Sequence, residues 1–146
     1  MASRKILIID DDAPTRSLFQ ALFERNGHSC VQTGDGREAL DLLRTDHLHV
    51  ILLDLLLPNP DGFAILKEIK ASFSHLLPRT IVLTAAAERI YGDREELDGV
   101  WCILNQPVDI AQLSEEVDDC AEQRIRERKP PAPVQSPGSA SRERAG

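Results

Sequence analysis

The sequence predicts an α/β domain built on a parallel sheet with helices on both faces, and three observations lead there. Four short apolar runs, Ile6–Ile9, Val50–Leu53, Ile81–Leu83 and Val100–Leu104, are rich in Ile, Leu and Val and too short for helices. Nearly continuous apolarity over so few residues is the pattern of strands buried on both faces. Between the runs lie segments with helical spacing of apolar residues, so strand and helix alternate along the chain. The 146 residues are 42% apolar and 28% charged, enough to close one core.

The elements follow in order. After the first strand, Ile6–Ile9, a helix begins with Asp12 as N-cap and Pro14 in its opening turn. It presents Leu18, Ala21 and Leu22 as its apolar stripe and stops at Gly27. Ser29–Thr33 is a weaker run that suits an edge strand. The second helix, about Gly36–Arg44, presents Ala39, Leu40 and Leu43. Val50–Leu53 is the central strand, followed by a helix over about Gly62–Ala71 that presents Phe63, Leu66 and Ile69. Ile81–Leu83 leads to a fourth helix in Ala86–Leu97, which Gly92 interrupts. Val100–Leu104 leads to a fifth, capped by Asp109 and carrying Ile110, Leu113, Val117, Ala121 and Ile125. Its acidic run, Glu115–Asp119, reads as a solvated face, with Trp101 either in the core or, the favoured reading, in an exposed patch nearby. Five such β/α units specify right-handed crossovers and an open, doubly wound sheet.

Composition excludes several classes of function. There are 17 Lys and Arg against 24 Asp and Glu, a net charge of −7, which argues against direct nucleic-acid binding by the domain. The longest apolar stretches are split by Asp54 and fall far short of the roughly 18 residues a membrane span needs. Arg4-Lys5, followed by four apolar residues and then three aspartates, is not an export signal. Cys30, Cys102 and Cys120 are too few and too scattered for a disulfide framework or a zinc site. The expected location is the cytoplasm. His47 and His49 have no third ligand in reach and read as ordinary loop and strand-edge residues; His28 and His75 are isolated.

The charge is uneven: residues 1–123 carry 11 basic and 22 acidic side chains, residues 124–146 carry 6 and 2. From Lys129 the chain holds four of its nine prolines and no aromatic residue. Such a segment buries too little apolar area to offset its conformational entropy. The expected domain is therefore 1–128, followed by a disordered tail or linker over 129–146.

In an open α/β sheet the working site lies beyond the carboxyl ends of the strands. The first strand here ends in Asp10-Asp11-Asp12, the central strand in Asp54, the next in Thr84-Ala85 and the last in Asn105-Gln106-Pro107. Clustered carboxylates repel and raise one another's pKa unless a cation sits among them. Oxygen ligands with room for water suit Mg²⁺, which recruits phosphate, and an Asp beside the ion can become the nucleophile.

These residues resemble the receiver domain of two-component response regulators. The segments "ILIIDDDAPTR", "DLLLPNPDGF" and "IVLTA" and the X-Pro before the last helix fall in that family's order and spacing. Pro58 and Gly62 follow Asp54 by four and eight residues, Thr84 by 30, and Gln106 lies 22 beyond Thr84. The resemblance covers about residues 4–125 and implies a flavodoxin-like sheet of five strands, ordered 2-1-3-4-5, with five helices. It implies Asp54 as phosphoacceptor and Mg²⁺ as cofactor, held by Asp10, Asp11, Asp54 and the backbone carbonyl of Leu56. Asp11 and Asp54 would touch the ion directly, and Asp12 caps the helix. Thr84, Ala85 and Gln106 would contact the phosphoryl group, and Gln106–Pro107 would be a cis peptide. The implied partners are a histidine kinase or phosphotransfer protein and an output domain or partner protein. The latter would meet the face of the fourth helix, fifth strand and fifth helix. Such a receiver is a switch and not a metabolic enzyme, catalysing only its own phosphorylation and dephosphorylation.

Two positions depart from the family pattern. Gln106 replaces the Lys that contacts the phosphoryl group, and Ile103 replaces the Tyr or Phe whose ring turns inward. Two carboxylates, a phosphoryl dianion and Mg²⁺ then sum to about −2, where Lys would leave about −1. Phosphorylation is expected to be weakened. The alternative reading is a degenerate receiver, a protein-binding module that works without phosphorylation. A flavin carrier of the same topology needs a Ser/Thr/Gly-rich loop after the first strand, where this chain has three acids.

Overall fold

Five strands, β1 (Lys5–Ile9), β2 (Ser29–Thr33), β3 (Val50–Asp54), β4 (Thr80–Thr84) and β5 (Cys102–Asn105), pair in parallel in the order β2–β1–β3–β4–β5. The computed structural model describes residues 4–45, 47–57, 61–85 and 97–123. The apolar runs form strands because a parallel sheet covered on both sides buries both sets of alternating side chains. All five residues of β3 and of β4 are buried.

Alternation along the strands divides the core into two layers. Leu7, Ile9, Ile51, Leu53, Val82 and Ile103 pack with Ala39 and Leu43 of helix α2 (Gly36–Thr45). Ile65, Leu66 and Ile69 of helix α3 (Gly62–Ser72) complete that layer. On the other face, Ile6, Ile8, Val50, Leu52, Ile81, Leu83 and Leu104 pack with Phe19 and Phe23 of helix α1 (Ala13–Arg25). Leu113, Val117, Cys120 and Ala121 of the last helix (Ile110–Glu122) join them. The sheet is doubly wound, as expected.

The caps form as the sequence implies. Asp12 accepts the Thr15 N–H at 3.0 Å, and Asp109 accepts those of Ala111 and Gln112. Asp61, not singled out from the sequence, caps α3 through the Ala64 N–H at 2.9 Å. A 3₁₀ segment over Ser74–Arg79, also unforeseen, leads into β4. His49 is structural: its Nδ1 accepts the Lys5 N–H at 3.0 Å.

Five expectations are corrected. The buried stripe of α1 is Phe19 and Phe23, with Leu22 half-buried, while Leu18 is 54% exposed and Ala21 is exposed. Both stripes have helical spacing, but the two rings bury far more apolar area and set the phase of docking. Ile110 is 39% exposed because it opens the last helix at the rim. The run Glu115–Asp119 is not simply solvated: Asp119 is buried, Asp118 meets His28 Nε2 at 2.7 Å, and Glu116 is taken by Trp101. Trp101 is accordingly half-buried against the second layer, its indole N–H donating to Glu116 at 2.9 Å. Val100–Leu104 also shortens, since β5 begins at Cys102. Residues 86–96 of the expected fourth helix, Pro58, Ile125, the boundary at 128 and the tail 129–146 lie outside the described residues.

Candidate functional site

Strand register assembles the rim. Ile9 pairs with Leu53, so Asp10, one residue past β1, lies beside Asp54, the last residue of β3. Leu83 pairs with Asp54 and Thr84 with Asn105, which sets Thr84 and then Gln106 along the same edge. Backbone bonds carry the ladders past the strand ends. The Asp10 N–H donates to the Thr33 carbonyl at 3.1 Å, Leu55 to Leu83 at 3.0 Å, and Gln106 to Thr84 at 2.9 Å.

Asp10, Asp11 and Asp54 each place one carboxylate oxygen within 4.8 Å of the others. Asp10 and Asp54 are buried and Asp11 is exposed. Asp10 Oδ1 accepts the Asp12 N–H at 2.9 Å, and Asp54 Oδ1 accepts the Leu56 N–H at 2.9 Å. Asp10 Oδ2, however, is buried without a hydrogen-bond partner. Leaving such a group unsatisfied costs about 1–3 kcal/mol, more when it is charged.

The electrostatics agree with that geometry. Burial pushes the Asp10 carboxyl up to about 6; the Asp12 N–H pulls it down, and Asp54, Asp11 and Asp12 push it further up. Asp54 is raised by burial and by Asp11, against the Leu56 N–H and the neighbouring Asp10 side chain, which lower it. Asp12 goes the other way, lowered by the Thr15 hydroxyl and N–H, as a helix cap should be. A divalent cation among these oxygens would satisfy Asp10 Oδ2 and replace repulsion by attraction. Three hard oxygen donors, one open to water, fit Mg²⁺.

Gly62 has a steric role. A Cβ there would lie 2.4 Å from Leu55 Cα and 2.7 Å from the Asp54 carbonyl oxygen, so the start of α3 packs onto the Asp54 loop only without a side chain. Thr84 is fully buried, Ala85 exposed and Gln106 half-buried, and Gln106–Pro107 is cis. Ile103 is buried in the core layer that also holds Leu76, Leu77, Leu97 and Val100. One contact escaped the sequence reading: Arg16 Nη1 donates to the Asp10 carbonyl at 2.7 Å. Its only signal was an Arg four residues past the cap, which has many bland explanations.

The sequence profile of the response regulator receiver domain matches residues 6–118. Sporulation initiation phosphotransferase F of Bacillus subtilis (strain 168) is 31% identical over 117 residues, spanning 80% of this chain and 93% of that protein. The receiver domain of the Francisella response regulator 1452 has a TM-score of 0.72 at 28% identity, covering 84% of this chain and all of that one (100%). The receiver domain of the sensor histidine kinase PA1611 from Pseudomonas aeruginosa PAO1 was solved with a magnesium ion coordinated in its active site cleft. It has a TM-score of 0.70 at 27% identity and covers 83% of this chain and 99% of its own. The profile runs from β1 into the last helix and so takes in every strand end at the rim. The chain belongs to the response regulator receiver domain family of two-component signalling.

Proposed function

We propose that Asp54 is the phosphoacceptor of this receiver, taking a phosphoryl group from the phosphohistidine of a histidine kinase or phosphotransfer protein. The observation that supports it most is Asp10 Oδ2, a buried carboxylate oxygen with no partner, in a cluster that also holds Asp11 and Asp54. Asp10, Asp11, Asp54 and the Leu56 carbonyl would hold Mg²⁺, with Asp11 and Asp54 in direct contact. When bound, the ion neutralises charge on the phosphoryl oxygens.

An oxygen of the Asp54 carboxylate, whose Oδ1 accepts the Leu56 N–H, is the attacking atom. It bonds to phosphorus as the phosphorus–nitrogen bond breaks; the imidazole leaves with the electron pair and a proton returns to it from solvent. The product is an acyl phosphate on Asp54, later hydrolysed by water. Catalysis is confined to these two steps on the chain itself. Thr84, Ala85 and Gln106 are the donors toward the phosphoryl oxygens, Gln106 offering a neutral hydrogen bond in place of a cation. The output partner meets the face that includes β5 and the last helix. Among the described residues no helix is long and apolar enough to cross a membrane, and the cytoplasm is the proposed location.

The test is incubation with a small acyl phosphate and Mg²⁺, followed by intact mass. Wild type should gain one phosphoryl group and Asp54→Asn none. An unmodified wild type that still binds Mg²⁺ would overturn the assignment of Asp54.

A further inference from the structure

Asp10 and Asp11 share one peptide plane, and that plane is held from outside the acidic cluster. The Asp10 N–H is fixed by the Thr33 carbonyl at 3.1 Å and its Oδ1 by the Asp12 N–H at 2.9 Å. Its carbonyl accepts from Arg16 Nη1 at 2.7 Å. Because the peptide is planar, orienting that carbonyl also orients the N–H and Cα of Asp11. The Asp11 carboxylate is exposed, so its direction depends on the backbone that carries it.

The arginine is itself held. Its Nε donates to Gln32 Oε1 at 2.7 Å, and Gln32 Nε2 donates to Gln20 Oε1 at 2.6 Å, tying α1 to β2. The room for its guanidinium comes from Gly34: a Cβ there would stand 2.5 Å from Arg16 Nη1 and 3.3 Å from the Asp10 carbonyl oxygen. A planar fork bridges the strand glutamine and the carbonyl at once, which a lysine ammonium does not.

We propose that Arg16 is a positioning residue for divalent-cation binding, clamping the Asp10–Asp11 peptide so that both carboxylates converge with Asp54. The inference rests on the cation reading of the site given above. The role is geometric, since the guanidinium meets the carbonyl of Asp10 and not its carboxylate. Partners that orient ligands in this way typically change metal affinity by about 10- to 100-fold.

The test is calorimetric titration of Mg²⁺ into wild type, Arg16→Lys and Gly34→Ala, with each protein also melted in chelator. Arg16→Lys keeps the charge and loses the fork. Gly34→Ala keeps the arginine and displaces its guanidinium, a shift that the flexible end of a side chain makes cheap. Both should bind Mg²⁺ at least about tenfold more weakly while melting close to wild type in chelator. Wild-type affinity in Arg16→Lys would overturn the proposal, as would affinity losses matched by equal losses of stability in chelator. Failure of wild type itself to bind Mg²⁺ would instead overturn the cation reading on which it stands.

Discussion

Asp10, just past the end of β1, and Asp54, the last residue of β3, lie side by side at the ends of neighbouring strands. Each accepts, through Oδ1 and at 2.9 Å, the N–H of the residue two places on, Asp12 in one case and Leu56 in the other. The two turns thus hold two carboxylates side by side, at a distance each would avoid in water. Local backbone bonds offset the cost of burial and of crowded charge only partly, and both carboxyls remain raised.

That residual strain makes stability depend on pH. A carboxyl whose folded value lies above its unfolded one stabilises the fold when protonated. For Asp10 the contribution is complete below 3.8 and lost as pH rises through about 6. In chelator, urea unfolding should show stability falling over that window by about 1–3 kcal/mol. Asp10→Asn should flatten the fall and be the more stable protein at neutral pH. A stability that rises over the window would show that other groups dominate.

Mg²⁺ should reverse the loss at neutral pH by binding the folded chain alone. Melting with millimolar Mg²⁺ should shift wild type upward by several degrees and Asp54→Ala by clearly less. Equal shifts would remove Asp54 from the site.

Gly62→Ala should differ sharply from Gly34→Ala. At Gly62 the new Cβ meets backbone of Leu55 and Asp54, which moves only with the whole turn. A loss of about 2–4 kcal/mol is expected, with weakened Mg²⁺ binding, read by denaturant midpoints. At Gly34 the nearest atom is a side-chain end, and stability should hold within about 1 kcal/mol.

Gln106→Lys should speed phosphorylation of Asp54 by about 10- to 100-fold, the worth of one charge-assisted hydrogen bond. It supplies no ring at position 103. Ile103→Tyr must enter a packed layer with Leu76, Leu77 and Val100, at about 1–3 kcal/mol of overpacking. Trp101, hydrogen-bonded to Glu116 of the last helix, reports movement there. Its fluorescence should respond to phosphorylation mainly in the double variant. A full response in wild type would show that coupling runs without the ring.

Leu56, two residues past Asp54 and 59% exposed, gives no polar group to orient a hydrolytic water. Leu56→Asn should shorten the phosphoryl lifetime by about tenfold, followed by loss of the mass adduct. An unchanged lifetime would place the water elsewhere.

Most strand positions and the caps Asp12 and Asp109 were legible because they are local. An Ile/Leu/Val run such as Val50–Leu53 specifies a strand buried on both sides, and Asp12 or Asp109 before a periodic segment specifies a helix start. The acids at strand ends were legible for the same reason, once the sheet was inferred. Tertiary structure decided what depends on phase and approach. In α1, Leu18-Ala21-Leu22 and Phe19-Leu22-Phe23 are both helical stripes, and only docking on the sheet selected the second. The pairing of Trp101 with Glu116 and of His28 with Asp118 needed two elements to meet, as did the clamp of Arg16 on the Asp10 carbonyl. Sequence spacing encodes the period of an element; which side chains then meet is set by the register and rotation at which elements pack, and those are properties of the assembled core.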